Sequence, residues 1–286
     1  MRRLFVTGGT GYLGAELVRR ALAGGWEVAA TYLTQPPSID GARWLALDVR
    51  DADALRRALA DLRPDAIVHT AYRQSGPDLW STSAEGAGVV ASAARSAGAR
   101  LIHMSSDALF DGERAGAYTE ADDPSPITPY GEAKAAAERL VAAADPAALI
   151  VRTSLIYAGA SGPHGVPGPG QHERLVLDAL DGRADIAFFT DELRCPIAVG
   201  DLAAALLELA DRELSGRMHI AGADVVSRYE FARLVAAAYG RDPQRVRGAK
   251  SAASGLRRPR NCALDSSRSQ ALLETRLRGV REVLRR

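Results

Sequence analysis

Apolar positions in the first part of the chain alternate between two periods. Short β-branched or apolar runs at 4–6, 26–32, 44–49, 66–69 and 100–104 are separated by segments 13–22, 52–62 and 82–96, whose apolar residues recur at helical spacing. Asp51 is placed to cap the second of these helices, and Pro64-Asp65 turns the chain into the fourth strand. Regular βα alternation through five strands predicts an α/β fold, a doubly wound, right-handed parallel sheet of Rossmann type. Pro129 stands in the first turn of a further helix, and 171–180 and 201–210 are again helical. A short strand is expected at 186–189. Ser227-Arg228-Tyr229-Glu230 forms a capping box ahead of a helix over 231–239. The run 158–170 is dense in glycine and proline and cannot continue a helix or a central strand, so it is either a loop bordering a ligand cleft or an inert connector.

The first strand breaks into Thr7-Gly8-Gly9-Thr10-Gly11-Tyr12-Leu13-Gly14, in which Gly9, Gly11 and Gly14 fit G-x-G-x-x-G. One glycine of that pattern permits the turn, one lets backbone approach a pyrophosphate, and one lets the helix pack on the strand. The helix N-terminus then offers unpaired N–H groups to phosphate. A dinucleotide is the expected ligand, with Gly8, Thr10, Gly11, Tyr12 and Leu13 as loop contacts. From Thr31 to Ser38 there is no acid to hold a ribose 2′-hydroxyl, which favours NADP over NAD, although no arginine sits there either. Asp48-Val49 is placed for adenine contacts, and Asp48 equally suits a turn. In Thr70-Ala71-Tyr72 the strand end is small enough for backbone to approach a cofactor, so Ala71 and Tyr72 are candidate walls. His69 reads as a satisfied sheet histidine rather than a base.

The fifth strand ends in Ser105-Ser106-Asp107, and the helix opening at Pro129 carries Tyr130 and Lys134 on one face. A phenol titrating near pH ~10 is a poor neutral-pH acid, and a neighbouring ammonium shifts it toward use. Ser106 is placed to hold the carbonyl oxygen that Tyr130 would protonate. Alone, Y-x-x-x-K is common on helices as packing and solvated charge. Following a dinucleotide loop and a serine-bearing strand end, it reads as a catalytic set of Ser106, Tyr130 and Lys134.

Charge and composition narrow the partners. Lys and Arg total 36 against 35 Asp and Glu, a net charge of +1, which argues against nucleic acid or an anionic membrane as partner. With no charged-then-apolar leader and no bilayer-length apolar run, a soluble, cytoplasmic protein is expected. The two cysteines, Cys195 and Cys262, lack metal-ligand spacing and suit a reducing compartment as packing residues, with Cys195 beside Pro196 also placed to line a pocket. No metal site is expected.

These motifs resemble the extended, sugar-nucleotide-modifying branch of the short-chain dehydrogenase/reductase superfamily. The loop matches that branch's T-G-x-x-G-x-x-G. Within it the chain is most similar to the dTDP-4-dehydrorhamnose reductase family, nearly end to end. Residues 105–112 are similar to S-T-D-Y-V-F-D-G, 151–157 to R-T-S-W-V-Y, 190–196 to D-Q-x-G-x-P, and 258–265 to R-P-x-N-x-x-L-D. The resemblance implies a dinucleotide-binding domain over 1–157 and a smaller, mainly substrate-binding lobe over 158–286, with some of its segments crossing back. It implies an NADPH-dependent reductase of a nucleotide-linked 4-keto-6-deoxy sugar, with Tyr130 as proton donor, Lys134 anchoring the nicotinamide ribose, and Ser106 and Asp107 on the substrate. Arg257, Arg258 and Arg260 are either diphosphate ligands or a solvated basic face, and the R-P-x-N context singles out Arg258. A homodimer is an assembly open to the family. Ala108 stands where the family has an aromatic, Tyr72 where it often has alanine, and Arg194-Cys195 where it has small residues. Three other activities stay open: a sugar-nucleotide epimerase or dehydratase, a non-catalytic NADP-binding regulatory subunit, and a reductase of a natural-product ketone.

Overall fold

The computed structural model describes residues 2–158, 168–255 and 257–285. In chain order the elements are β1 (Arg3–Thr7), α1 (Tyr12–Ala23), β2 (Glu27–Tyr32), β3 (Arg43–Ala46), α2 (Ala52–Leu62), β4 (Ala66–His69), α3 (Gly86–Ala97), β5 (Arg100–Ser106), α4 (Pro129–Ala144), β6 (Leu149–Thr153), β7 (Ile156–Tyr157), α5 (Gln171–Leu180), β8 (Phe188–Phe189), β9 (Leu193–Arg194), β10 (Ile197–Ala198), α6 (Val199–Ala210), β11 (Gly216–His219), β12 (Val226–Ser227) and α7 (Arg228–Ala238). The chain forms two compact units, one from Met1–Ser106, Pro129–Arg152 and Ala203–Met218, the other from Asp107–Thr128, Thr153–Leu202 and His219–Arg286.

The first unit is built on a seven-stranded sheet of order β11-β6-β5-β4-β1-β2-β3. The pairs β1–β2, β1–β4, β2–β3 and β4–β5 are parallel, as the βα alternation requires. Phe5, Leu55, Ile67, Val90, Leu101 and Val141 join strands and helices in one apolar cluster. The local signals act as expected at α2, where the Asp51 carboxylate accepts from the N–H groups of Asp53 at 3.1 Å and Ala54 at 2.9 Å. β3 ends at Ala46 rather than 49, because the Asp48 carboxylate accepts from the Arg50 N–H at 3.0 Å and bends the chain. β5 continues two residues past the apolar run and puts Ser106 at its carboxyl end.

α4 turns Gly131, Ala133, Lys134, Ala137, Glu138 and Val141 inward. Glu138 is fixed by an almost wholly buried network, with half-buried Arg217 Nε a further 3.7 Å from its Oε2. Arg152, fully buried on β6, places Nε 2.9 Å from Glu138 Oε1 and Nη2 2.8 Å from Oε2, while the Ser105 hydroxyl donates to Oε1 at 2.6 Å. A bidentate pair with a further donor satisfies the groups that burial would otherwise leave costly.

The second unit packs Tyr157, Val176, Leu180, Phe188, Phe231 and Val235 together. β12 pairs antiparallel with β9, setting Val226 opposite Arg194 and Ser227 opposite Leu193. Ser227 caps α7 by accepting from the Glu230 N–H at 3.0 Å, and the helix begins at Arg228, three residues earlier than the apolar pattern indicated. Residues 107–128, expected within the first domain, cluster with this unit: Tyr118 stacks on Phe110 at 3.9 Å and its N–H donates to the Ala263 carbonyl at 2.8 Å. Such pairing across more than a hundred residues has no local signature. Of the glycine- and proline-dense run, 159–167 lies outside the described residues. Its flanks meet at Glu173, whose Oε2 accepts from the N–H groups of Ala158 and Gly170, each at 2.8 Å.

Glu138→Ala strands the Arg152 guanidinium in the core, with an expected loss of about 3–5 kcal/mol in denaturant unfolding. Glu138→Leu combined with Arg152→Met should recover most of it. A single-variant loss under ~1 kcal/mol would contradict the assignment of this network as a buried, mutually satisfied unit.

Candidate functional site

The glycine loop closes on itself and on β4. Gly8 has φ +70°, and a Cβ there would lie 2.8 Å from the Ala71 nitrogen. A Cβ on Gly14 would lie 2.2 Å from the Gly8 carbonyl oxygen, so α1 approaches the loop only because that atom is missing. The loop is held by the Gly8 N–H donating to Thr31 Oγ1 at 2.9 Å and the Gly9 N–H donating to the Thr31 carbonyl at 2.9 Å. Gly11 occupies the N-cap of α1 with no side chain to cap the first turn. Thr10 and Gly11 are exposed and Tyr12 is half-buried, while Leu13 is buried and can serve a ligand only through its backbone.

The loop, Ala71 and the end of β2 are thus brought together. Asp48 sits half-buried, its carboxylate engaged by Arg50 through Nη2 at 2.7 Å and Nε at 3.0 Å; hydrogen bonding from Arg50 lowers its pKa. Arg50 also reaches Asp78 at 2.9 Å. The turn-forming alternative for Asp48 is therefore present, and Val49 is a core residue.

α4 and the ends of β4 and β5 assemble the second half of the site. Lys134 is 4% exposed, and its Nζ donates to the Met104 carbonyl at 2.6 Å. Burial holds its pKa down to about 8, with Glu138, one turn further along the helix, acting in the opposite direction. The Lys134 Nζ lies 5.8 Å from the Tyr72 ring, and the Tyr72 and Tyr130 ring centroids are 6.0 Å apart, tilted by 49°. Tyr72 therefore flanks both members of the Tyr130/Lys134 pair. Ser106 is half-buried, two residues beyond the carbonyl that holds Lys134.

Behind this group His69 and His103 are register partners on β4 and β5, with stacked rings 5.2 Å apart. His69 Nδ1 lies 2.6 Å from Thr7 Oγ1, and its Nε2 has no partner among the described residues, so His69 is satisfied at one nitrogen only. Burial, with Lys134 adding to it, holds its pKa down to about 3, and it remains neutral at working pH.

Asp107 and Arg258 lie in the second unit and are connected there. Asp107 Oδ2 accepts from Ser154 Oγ at 2.6 Å and stands 3.7 Å from Arg194 Nε. Glu192, 1% exposed, pairs with Arg258 through Nε, with Nη2 at 3.3 Å, and lies 3.9 Å from Arg194 Nη2. Arg258 also covers Phe189 at 5.1 Å. The guanidinium preferred from sequence as a phosphate ligand is thus already paired with a buried carboxylate, and Arg260 pairs with Glu113 at 2.8 Å. Sequence reasoning passed over Arg228, which was visible only as a capping-box position. Cys195 and Cys262 are buried, and burial raises both thiols, to about 11 and about 12. Among the described residues no His, Cys, Asp and Glu group could hold a metal ion, and no helix is long and apolar enough to cross a membrane.

The chain is 34% identical to dTDP-4-dehydrorhamnose reductase of Mycolicibacterium smegmatis over 294 residues, covering 99% of this chain and 84% of that one. It is 29% identical to methionine adenosyltransferase 2 subunit beta of Rattus norvegicus, over 95% of this chain and 82% of that protein. The crystal structure of dTDP-4-dehydrorhamnose reductase from Bacillus anthracis in complex with NADP superposes with a TM-score of 0.81 at 24% identity, covering 99% of this chain and 96% of that one, a likeness of fold. The family model described as the RmlD substrate binding domain matches residues 1–286, and the chain belongs to that family.

Proposed function

We propose that the protein is an NADPH-dependent reductase of a nucleotide-linked 4-keto-6-deoxy sugar. The observation that carries this reading is the cluster in the first unit, in which Tyr72 bridges Tyr130 and the buried Lys134, close to Ala71, which packs on the glycine loop. The loop fits a dinucleotide: the missing Cβ atoms of Gly8 and Gly14 let it close against Ala71 and α1, and the first turn of α1 lacks a side-chain cap. Gly8, Thr10, Gly11, Tyr12 and the Leu13 backbone would hold the pyrophosphate, Asp48 and Val49 the adenine side, and Ala71 and Tyr72 the wall near the ring. No acid follows β2 up to Ser38, which suits a 2′-phosphate, and the Bacillus anthracis reductase of the same fold carries NADP.

When bound, the cofactor supplies hydride to the keto carbon. Tyr130 gives its phenolic proton to the carbonyl oxygen, completing reduction of the carbonyl to a secondary alcohol. Ser106 donates a hydrogen bond to that oxygen as negative charge grows on it. Lys134 holds its positive charge beside the phenol, favouring departure of the proton, and would anchor the nicotinamide ribose. Asp107 and Arg258 are substrate-side residues in this reading. A relative at 29% identity is named as a methionine adenosyltransferase subunit, so fold and kinship alone do not fix the activity. The presence of Ser106, Tyr130 and Lys134 together favours chemistry here.

Tyr130→Phe should lower the rate of NADPH oxidation with nucleotide-linked 4-keto-6-deoxy sugars by about 10²–10⁴-fold while leaving NADPH affinity nearly unchanged. Undiminished turnover would remove Tyr130 from the chemistry. A second expectation concerns pH. The useful form of Lys134 is the cation, which prevails below its pKa of about 8, so kcat should fall as pH rises through that value. Lys134→Met should be slower and lose that limb of the profile, whereas an unchanged limb would assign it to another group.

A further inference from the structure

The sheet of the first unit carries a row of polar side chains that the reaction above does not use. Thr7, His69 and His103 are register partners at the carboxyl ends of the neighbouring strands β1, β4 and β5, so the three share one side of the sheet. Ser105, two residues beyond His103 on β5, donates to Glu138 of α4, which identifies that side as the one α4 covers. Both imidazoles are 1% exposed, and their rings stack at 5.2 Å. Thr7 Oγ1 serves His69 Nδ1 at 2.6 Å, but among the described residues nothing serves His69 Nε2 or either ring nitrogen of His103. Lys134 is short of partners too. Its Nζ carries three N–H groups, and the Met104 carbonyl is its one hydrogen-bond acceptor among the described residues. The helix offers no substitute, because the buried residues of α4 around Lys134 are Gly131, Ala133, Ala135, Ala136 and Ala137.

We infer that His69 and His103 are positioning residues for Lys134: their open ring nitrogens hold ordered water against Nζ, so the ammonium is hydrated from the sheet side. The chemistry of the groups selects water. A neutral imidazole donates at one nitrogen and accepts at the other, while an ammonium only donates, so whatever lies between them must do both. Burial, with Lys134 adding to it, keeps both rings neutral. A metal ion would sit beside a like charge, and no group of three His, Cys, Asp or Glu side chains among the described residues could hold one. Buried polar groups are almost always hydrogen-bonded, and an internal water typically makes about three such bonds. The other groups near Lys134 do not fill the role. Glu138 has its carboxylate taken up by Arg152 and Ser105, with Arg217 at 3.7 Å, and Tyr72 turns its ring toward Nζ at 5.8 Å. Tyr130 is the phenol that the cation serves. Burial already pulls Lys134 down to about 8, so losing one solvating partner would cost it the charge near neutral pH. The kinetic consequence rests on the reductase reading above, whereas the hydration does not.

The chain has two lysines, Lys134 and Lys250, so the full protein labelled with carbon-13 at lysine Cε gives two NMR signals, assigned with Lys250→Arg. Their pH titration reads the charge of Lys134 without any turnover. His103→Phe keeps a ring of similar size and removes its polar atoms, and it should lower the Lys134 midpoint by about one pH unit, a tenfold change in the protonation equilibrium. His103→Gln keeps a donor and an acceptor and should restore most of the wild-type midpoint. The high-pH limb of kcat should move in the same order. A high-resolution crystal structure of the wild-type protein needs no variant, and should show water within about 2.7–3.2 Å of a His103 ring nitrogen and of Lys134 Nζ. An unchanged Lys134 midpoint in His103→Phe, or ring nitrogens without water in the wild-type crystal, would overturn the assignment. If the midpoint falls as expected while no 4-keto-6-deoxy sugar is turned over, the positioning pair stands and the reductase reading falls.

Discussion

The first unit depends on a lysine ammonium kept almost entirely out of water. Burying Lys134 is unfavourable for its charge, and the fold offsets this in two ways: the Met104 carbonyl accepts from Nζ, and the Glu138 carboxylate lies one helical turn away. The first of these contacts ties α4 to the carboxyl end of β5. Tyr130 in the first turn of that helix lies beside Tyr72, which follows β4. Glu138 is in turn held by Ser105 and Arg152, so strands β5 and β6 both support the helix that carries Tyr130 and Lys134. The positions that hold the site together are thus the ones least accessible to solvent.

The fold was legible because its local signals agree with one another. The alternation of short apolar runs with helical segments, the Asp51 cap and the glycines after β1 each point to a parallel sheet with its ligand edge at the strand ends. What escaped the sequence is long-range. The attachment of 107–128 to the second unit rests on Tyr118 reaching Phe110 and Ala263, and the two-residue strands of that unit are too short to leave a period.

Half of the candidate site was legible and half was not. Tyr130 and Lys134 declare themselves by spacing, and Ser106 by its position after an apolar run. The support behind them does not: Glu138 reads as an ordinary helix acid and Arg152 as a basic residue in a strand, and only the coordinates show both buried and bidentate. Arginines are the hardest to read. Arg258 looks uncommitted in sequence and is paired with Glu192, whereas Arg228 looks like part of a helix cap and has no carboxylate partner among the described residues. A guanidinium's role depends on which carboxylates reach it, and that is decided by contacts between distant segments.

The central claim is that a carbonyl carbon receives hydride within the first unit while Tyr130 supplies the proton. It is tested most directly by turnover of a nucleotide-linked 4-keto-6-deoxy sugar with NADPH deuterated at C4, followed by mass and NMR analysis of the product. Deuterium at the reduced carbon, one atom per NADP formed, is the predicted result. Product formed without deuterium at that carbon, or without net oxidation of the cofactor, would contradict it.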